Sequence, residues 1–153
     1  MKRIWVVGPV LALAAMLLFS SGCNPVAATP GGRIFASGQG HGGAIARSTM
    51  GGPWGSEGMA CANCHGNGGK GTPVGPDISR AVLGVSHTIT HKPSAGSAVP
   101  QPVTEGPWTA QQTVAVVRSG MTPEGNRLGG RMPRWRLDAQ DASALAGFLA
   151  GLK

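Results

Sequence analysis

The chain has 153 residues, 41% of them hydrophobic, with 26 Gly, 12 Pro, no Tyr and 5% aromatic residues. That length holds one small domain, and so much glycine and proline excludes an extensive regular core, so the fold gains from a staple such as a metal or cofactor. The formal charge of +7 is a mild bias spread along the chain, which suits an acidic protein surface better than a nucleic acid.

In chain order, the first segment is an export signal. Lys2 and Arg3 form a positive start, Ile4 to Phe19 an apolar stretch interrupted at Gly8 and Pro9, and Ser20, Ser21 and Gly22 a small-residue cleavage zone. A cysteine directly after that zone, Cys23, resembles the bacterial lipobox, although Ser20 stands where leucine is usual. Loss of residues 1–22 removes two of the 13 basic residues and no acid, leaving a formal +5. Export further disfavours nucleic acid as a partner.

Residues 23–32 read as a Pro/Ala/Gly tether, and 33–153 as a single domain with loop insertions at 40–58 and 86–107. "RIFASG" is a short candidate helix, and residues 61–66 a helical turn. "SHTIT" is the one β-branched alternation, too short to build a sheet. Thr109 with Gln112 forms a capping box for a helix that Gly120 stops. A last helix starts at Asp138, with Asp141 complementing its positive end and Leu145, Phe148, Leu149 and Leu152 on one apolar face. The expected fold is mostly α with long Gly/Pro-rich loops.

The chemistry is concentrated in "CANCHGNGGKG", residues 61–71, where Cys61, Cys64 and His65 stand within five positions. A thioredoxin-type dithiol would need βαβ surroundings that are missing here. Zinc could recruit His87 and His91 as a second pair, but 22 residues separate Cys64 from His87, well beyond the finger spacing of about 12, and His65 would have no role. The plain reading of His87 and His91 is two polar residues in a solvated loop. The third reading is covalent haem, whose attachment signature is Cys-x-x-Cys-His. Its sulfurs add across two vinyl groups on one porphyrin edge, and the helical turn aims His65 at the iron.

From about Gly58 to its end the chain resembles the class I cytochromes c. The matching pieces are "CANCHGNGGKG", "GPDI" at 75–78 for the family's Gly-Pro-x-Leu, and a closing pattern of helix, Met-Pro loop and helix from Trp108 to Leu152. The resemblance implies a small helical domain around one covalent haem c, with Pro76 offering its carbonyl to His65 and Met132, which lies 67 residues after His65, as the second axial ligand. Met121 is the alternative ligand; Met50 lies in a glycine loop and Met59 is too near Cys61. One departure stands out, because "GGRIFASG" ends about 23 residues before Cys61, where the smallest relatives run their first helix almost directly into the motif. Phe35 is expected to pack on the Phe148 helix with the intervening residues looped out.

A haem with both axial positions filled suits one-electron transfer and leaves no place for substrate. The expectation is a non-enzymatic periplasmic electron carrier that meets redox proteins near Gly66, Arg131 and Arg134 and is tied to a membrane through a lipidated Cys23. The alternatives are a cytochrome subunit of a dehydrogenase or oxidase, or a five-coordinate haem enzyme or sensor if Met132 is not bound.

Overall fold

The structure is a computed structural model that describes residues 25–48, 54–55, 59–90, 102–129 and 131–153. Residues 1–24, which include the expected export signal and Cys23, lie outside the described residues, as do Met50 and His91. Among those described, no helix is long and apolar enough to cross a membrane.

A 3-10 turn, Pro25–Ala28, leads into helix α1, Pro30–Ser37. Thr29 caps it by accepting from the Gly32 amide at 3.0 Å, Pro30 occupies the first turn where no amide partner is needed, and Gly38 ends it with φ 70°. The short helix α2, Cys61–His65, carries the cysteine motif. Ala60 has no side chain to cap it, so Asn63 reaches back and accepts from the Ala60 amide at 2.8 Å. Helix α3, Arg80–Leu83, follows the glycine loop.

Helix α4, Ala110–Ser119, has the expected reciprocal box, with Thr109 Oγ1 accepting from Gln112 and Gln112 Oε1 accepting from Thr109. Helix α5, Ala139–Ala150, is capped by Asp138, which accepts from the Asp141 amide at 2.9 Å.

The core forms where α1, α4 and α5 meet. Ile34 and Phe35 are fully buried against Leu145 and Leu149, and the Phe35 and Phe148 rings pack with centroids 5.1 Å apart. The expected contact between the upstream helix and the last helix is therefore present despite the long gap before Cys61. It is a close crossing. A Cβ built on Gly31 would sit 2.0 Å from the Ala144 carbonyl oxygen, so only glycine lets the two backbones approach.

Short strands occupy stretches that read as loop. Strands β1 (Gln39–Gly40) and β2 (Gly43–Ala44) form a hairpin. Strands β3 (Arg47–Ser48), β4 (Trp54–Gly55) and β7 (Arg134–Trp135) form a three-stranded antiparallel sheet in the order β4-β3-β7. The "SHTIT" alternation, too short on its own, pairs as β5 (His87–Thr90) with β6 (Pro102–Glu105). Two-residue strands carry no readable alternation, and their pairing is long-range, so local pattern misses them. The hairpin is tied to α5, since the His41 amide donates to Asp141 Oδ1 at 3.0 Å and its ring lies 3.3 Å from Asp138 Oδ2.

Gly31→Ala is expected to destabilise the fold by about 1–3 kcal/mol, because overpacking at the crossing outweighs the better helix propensity of alanine. A lowered thermal midpoint checks this; an unchanged or raised one contradicts the crossing.

Candidate functional site

The glycine-rich run after α2 folds back onto the motif. The Gly71 amide donates to the His65 carbonyl at 2.9 Å, Thr72 Oγ1 donates to the Cys64 carbonyl, and the Ile78 amide donates to Gly69 at 2.7 Å. The first two satisfy the last carbonyls of a helix too short to satisfy them itself, and the third ties the loop to the segment after Pro76. Gly75 passes so near that a Cβ there would lie 2.7 Å from the Cys64 oxygen. The next residue, Pro76, thereby presents its carbonyl to the buried His65 ring, with Nδ1 2.8 Å from the oxygen. A carbonyl can only accept, so Nδ1 carries the proton and Nε2 keeps its lone pair for a metal.

Cys61 is buried and Cys64 half-buried, both as free cysteines. Burial pushes the Cys61 thiol up to about 12, with the neighbouring Cys64 charge adding to the rise and a backbone hydrogen bond partly offsetting it. A thiol held neutral in this way is a poor redox nucleophile, and the apolar setting accepts an uncharged thioether instead.

Two connected walls converge here. A space of about 80 Å³ is lined by both cysteines, His65, Pro76, Arg131, Met132, Pro133 and Trp135. A larger one of about 330 Å³ runs from His65, Pro76 and Met132 past Ile78, Leu83 and Val116 to His87 and Trp108. His65, Pro76 and Met132 belong to both. The five residues singled out in the sequence, Cys61, Cys64, His65, Pro76 and Met132, are thus brought to one place. Met121, exposed in a bridge with Arg127, lines neither space, and Met59 lines only the smaller.

His87 is not the solvated residue expected of it. Its ring meets Trp108 edge-on at 5.5 Å between centroids, Nδ1 lies 3.0 Å from the Val85 carbonyl, and it lines the large space. The described residues do not group His87 with the cysteines as a metal cluster; the one such group among them is His41, Asp138 and Asp141.

Sequence reasoning missed the polar frame at the far end of the large space. The Trp108 indole donates to both Glu124 oxygens at 3.1 and 3.2 Å, and the Gly106 amide donates to Glu124 Oε1 at 2.9 Å. Glu105, 1% exposed, accepts from Asn126 at 2.8 Å and Thr122 at 3.2 Å. The "EGPW" run at 105–108 marks Glu105 and Trp108 as part of that frame, while Glu124, which holds the indole, lies 16 positions further on.

A c-type haem fits these residues. The walls are apolar, an imidazole nitrogen and a thioether are the donor types iron accepts, and Trp135 on the smaller wall has a buried Nε1 that lacks a hydrogen-bond partner among the described residues. The sequence profile of the cytochrome c family matches residues 55–153. The chain therefore belongs to the cytochrome c family, as a small, mostly helical electron-transfer protein that binds one covalent c-type haem and exchanges electrons with redox partners. No curated protein and no solved structure matches the chain significantly.

Burial raises the Glu124 carboxyl, but the Gly106 and Trp108 donors outweigh it and hold the group below its ordinary value of 4.5. A carboxylate depressed on folding contributes stability above its unfolded pKa and loses it as pH falls through the folded one. Glu124→Gln should therefore lose less stability than wild type between about pH 5 and 3, measured by urea unfolding at each pH. Parallel losses would show that Glu124 is uncoupled from folding.

Proposed function

We propose that the chain is an exported one-electron carrier whose haem is attached through Cys61 and Cys64 and ligated by His65 and Met132. The observation that carries this reading is the 2.8 Å contact between His65 Nδ1 and the Pro76 carbonyl, which leaves Nε2 as the free donor on a wall shared with Met132. When bound, the haem supplies reversible one-electron chemistry at a potential set largely by its axial ligands.

The protein's own residues do the rest. His65, oriented by Pro76, gains basicity from that hydrogen bond and holds its ring angle. Met132 offers a weak thioether from a loop stiffened by Pro133, and filling that position keeps small ligands off the iron. Ile78, Leu83, Val116 and Val117 exclude water, and Met59 and Val74 lie exposed beside the cysteines. We place partner docking on the surface around Gly66, Arg131 and Arg134, where the cationic side chains suit an acidic redox protein. The amino-terminal segment supports work outside the cytoplasm, with Cys23 lipidated as the anchor.

The test is an absorption spectrum of full-length protein matured in a host that attaches haem c, beside Met132→Ala. The ferric sulfur-to-iron charge-transfer band should vanish in the variant, and the potential should fall, axial ligands spanning about 0.8 V. An unchanged band moves the ligand to Met121, and protein that holds zinc and no covalent haem sinks the proposal. Mass spectrometry of the amino terminus decides whether Cys23 bears lipid. Gly75→Ala, which pushes a methyl toward the Cys64 carbonyl and so displaces Pro76, should raise the potential. A tenfold weaker hold on the oxidised state corresponds to about 59 mV for one electron. Potentiometry that shows no rise would mean the Pro76 bond does not tune the metal.

A further inference from the structure

We infer that strand β3 is a positioning element for Met132: residues 45–48, downstream of α1, fold back to latch the ligand loop shut. The inference rests on the reading of Met132 as an axial ligand and adds what holds it there.

Met132 sits in an irregular turn, its amide donating to Gly129 at 3.0 Å. Upstream, the turn is anchored where the Leu128 amide donates to Gly120 at 2.9 Å. Downstream, one residue, Pro133, separates it from β7, and the described residues give β7 one strand neighbour, β3. The pairing is Arg47 with Trp135 and Ser48 with Arg134, extended by the Arg136 amide donating to Ala46 at 2.8 Å. An antiparallel ladder alternates exchanging and non-exchanging pairs, so Ala46–Arg136 and Ser48–Arg134 are the pairs that carry bonds to β7.

Side chains reinforce the ladder. The Arg47 guanidinium lies 5.9 Å from the centre of the Trp135 ring, Ile45 is buried in the main core, and Ser48 is 2% exposed. The latch is itself fixed at its start, because the Ile45 amide donates to Gly38 at 2.9 Å and His41 is tied to Asp141. A thioether is a weak ligand, so its residence on the iron depends on how often the loop opens. Pairing 85 or so residues away in sequence is what the loop has in place of local structure.

The test measures imidazole uptake by the full-length ferric holoprotein, followed by loss of the charge-transfer band at saturating imidazole, where loop opening limits the rate. Ser48→Pro removes the amide that faces Arg134 and should speed uptake about three- to tenfold. Arg47→Ala keeps the backbone and removes the guanidinium from the Trp135 face; it should speed uptake about two- to fivefold. Gly42→Ala, in an exposed turn where a Cβ meets nothing within 4 Å, should match wild type. If Ser48→Pro does not accumulate as holoprotein, Arg47→Ala decides alone. Variants that exchange at the wild-type rate, or a control that speeds up equally, overturn the latch while the ligand assignment stands. A wild-type protein lacking the band overturns the assignment itself.

Discussion

The hydrogen bond from His65 to the Pro76 carbonyl is the constraint around which the site is arranged. It selects the imidazole tautomer, points the unprotonated nitrogen away from the peptide, and buries a polar ring without leaving a donor unsatisfied. Keeping the carbonyl there requires the chain to turn back within eleven residues of His65. That turn explains the glycines. Gly75 passes against the Cys64 carbonyl where no Cβ fits, and Gly71 and Thr72 close the open end of α2. What reads as a flexible glycine-rich run is a tight loop pinned through the amides of Gly69, Gly71, Thr72 and Ile78.

The helices matter as the frame that holds this loop and the Met132 loop apart. The α1–α5 crossing at Gly31 brings the two chain ends of the domain together, and Leu152, two residues past the end of α5, accepts from the Arg80 amide just beyond the GPDI segment. The His65 side thus hangs on α5 directly. The Met132 side reaches the same helix through β7 and the capped start at Asp138. One helix therefore indexes both walls of the site, which is an economical way for a domain with few aromatic residues and a modest core to hold His65 and Met132 in a fixed relation.

Local sequence pattern made much of this legible. Cys61, Cys64, His65 and Pro76 fall within 16 consecutive positions, and the chemistry of that run depends on spacing that can be read directly. The caps at Thr109 and Asp138 are equally local, each linking a residue to the one three positions on with a hydrogen-bond rationale. Met132 was readable through the Met-Pro dipeptide and its resemblance to a family, not through any contact. The residues that escaped notice act over distance. Strands of two residues have no periodicity, so β3 and β7 exist only as a pair. His87 looked solvated because its partner Trp108 lies 21 positions away. Glu124 gave no sign that it would hold the Trp108 indole.

The stretch that follows α1 is held, at residues 45–48, by long-range pairing rather than by local pattern. An insertion at that point lengthens the chain segment that must be closed, at an entropic cost that grows only slowly with length. Its first half recovers that cost in bonds to α5 and to β7, both of which serve the site. The apolar side of Ile45 joins the core, and the backbone of Ala46 to Ser48 satisfies a strand that would otherwise present open amides beside the Met132 loop. A helix in the same place would have satisfied its own amides internally and left those of β7 exposed. Extended chain is the one local conformation able to pair with the segment following Met132, so the departure from a helix that runs straight into the motif and the pairing of β3 with β7 are the same structural fact.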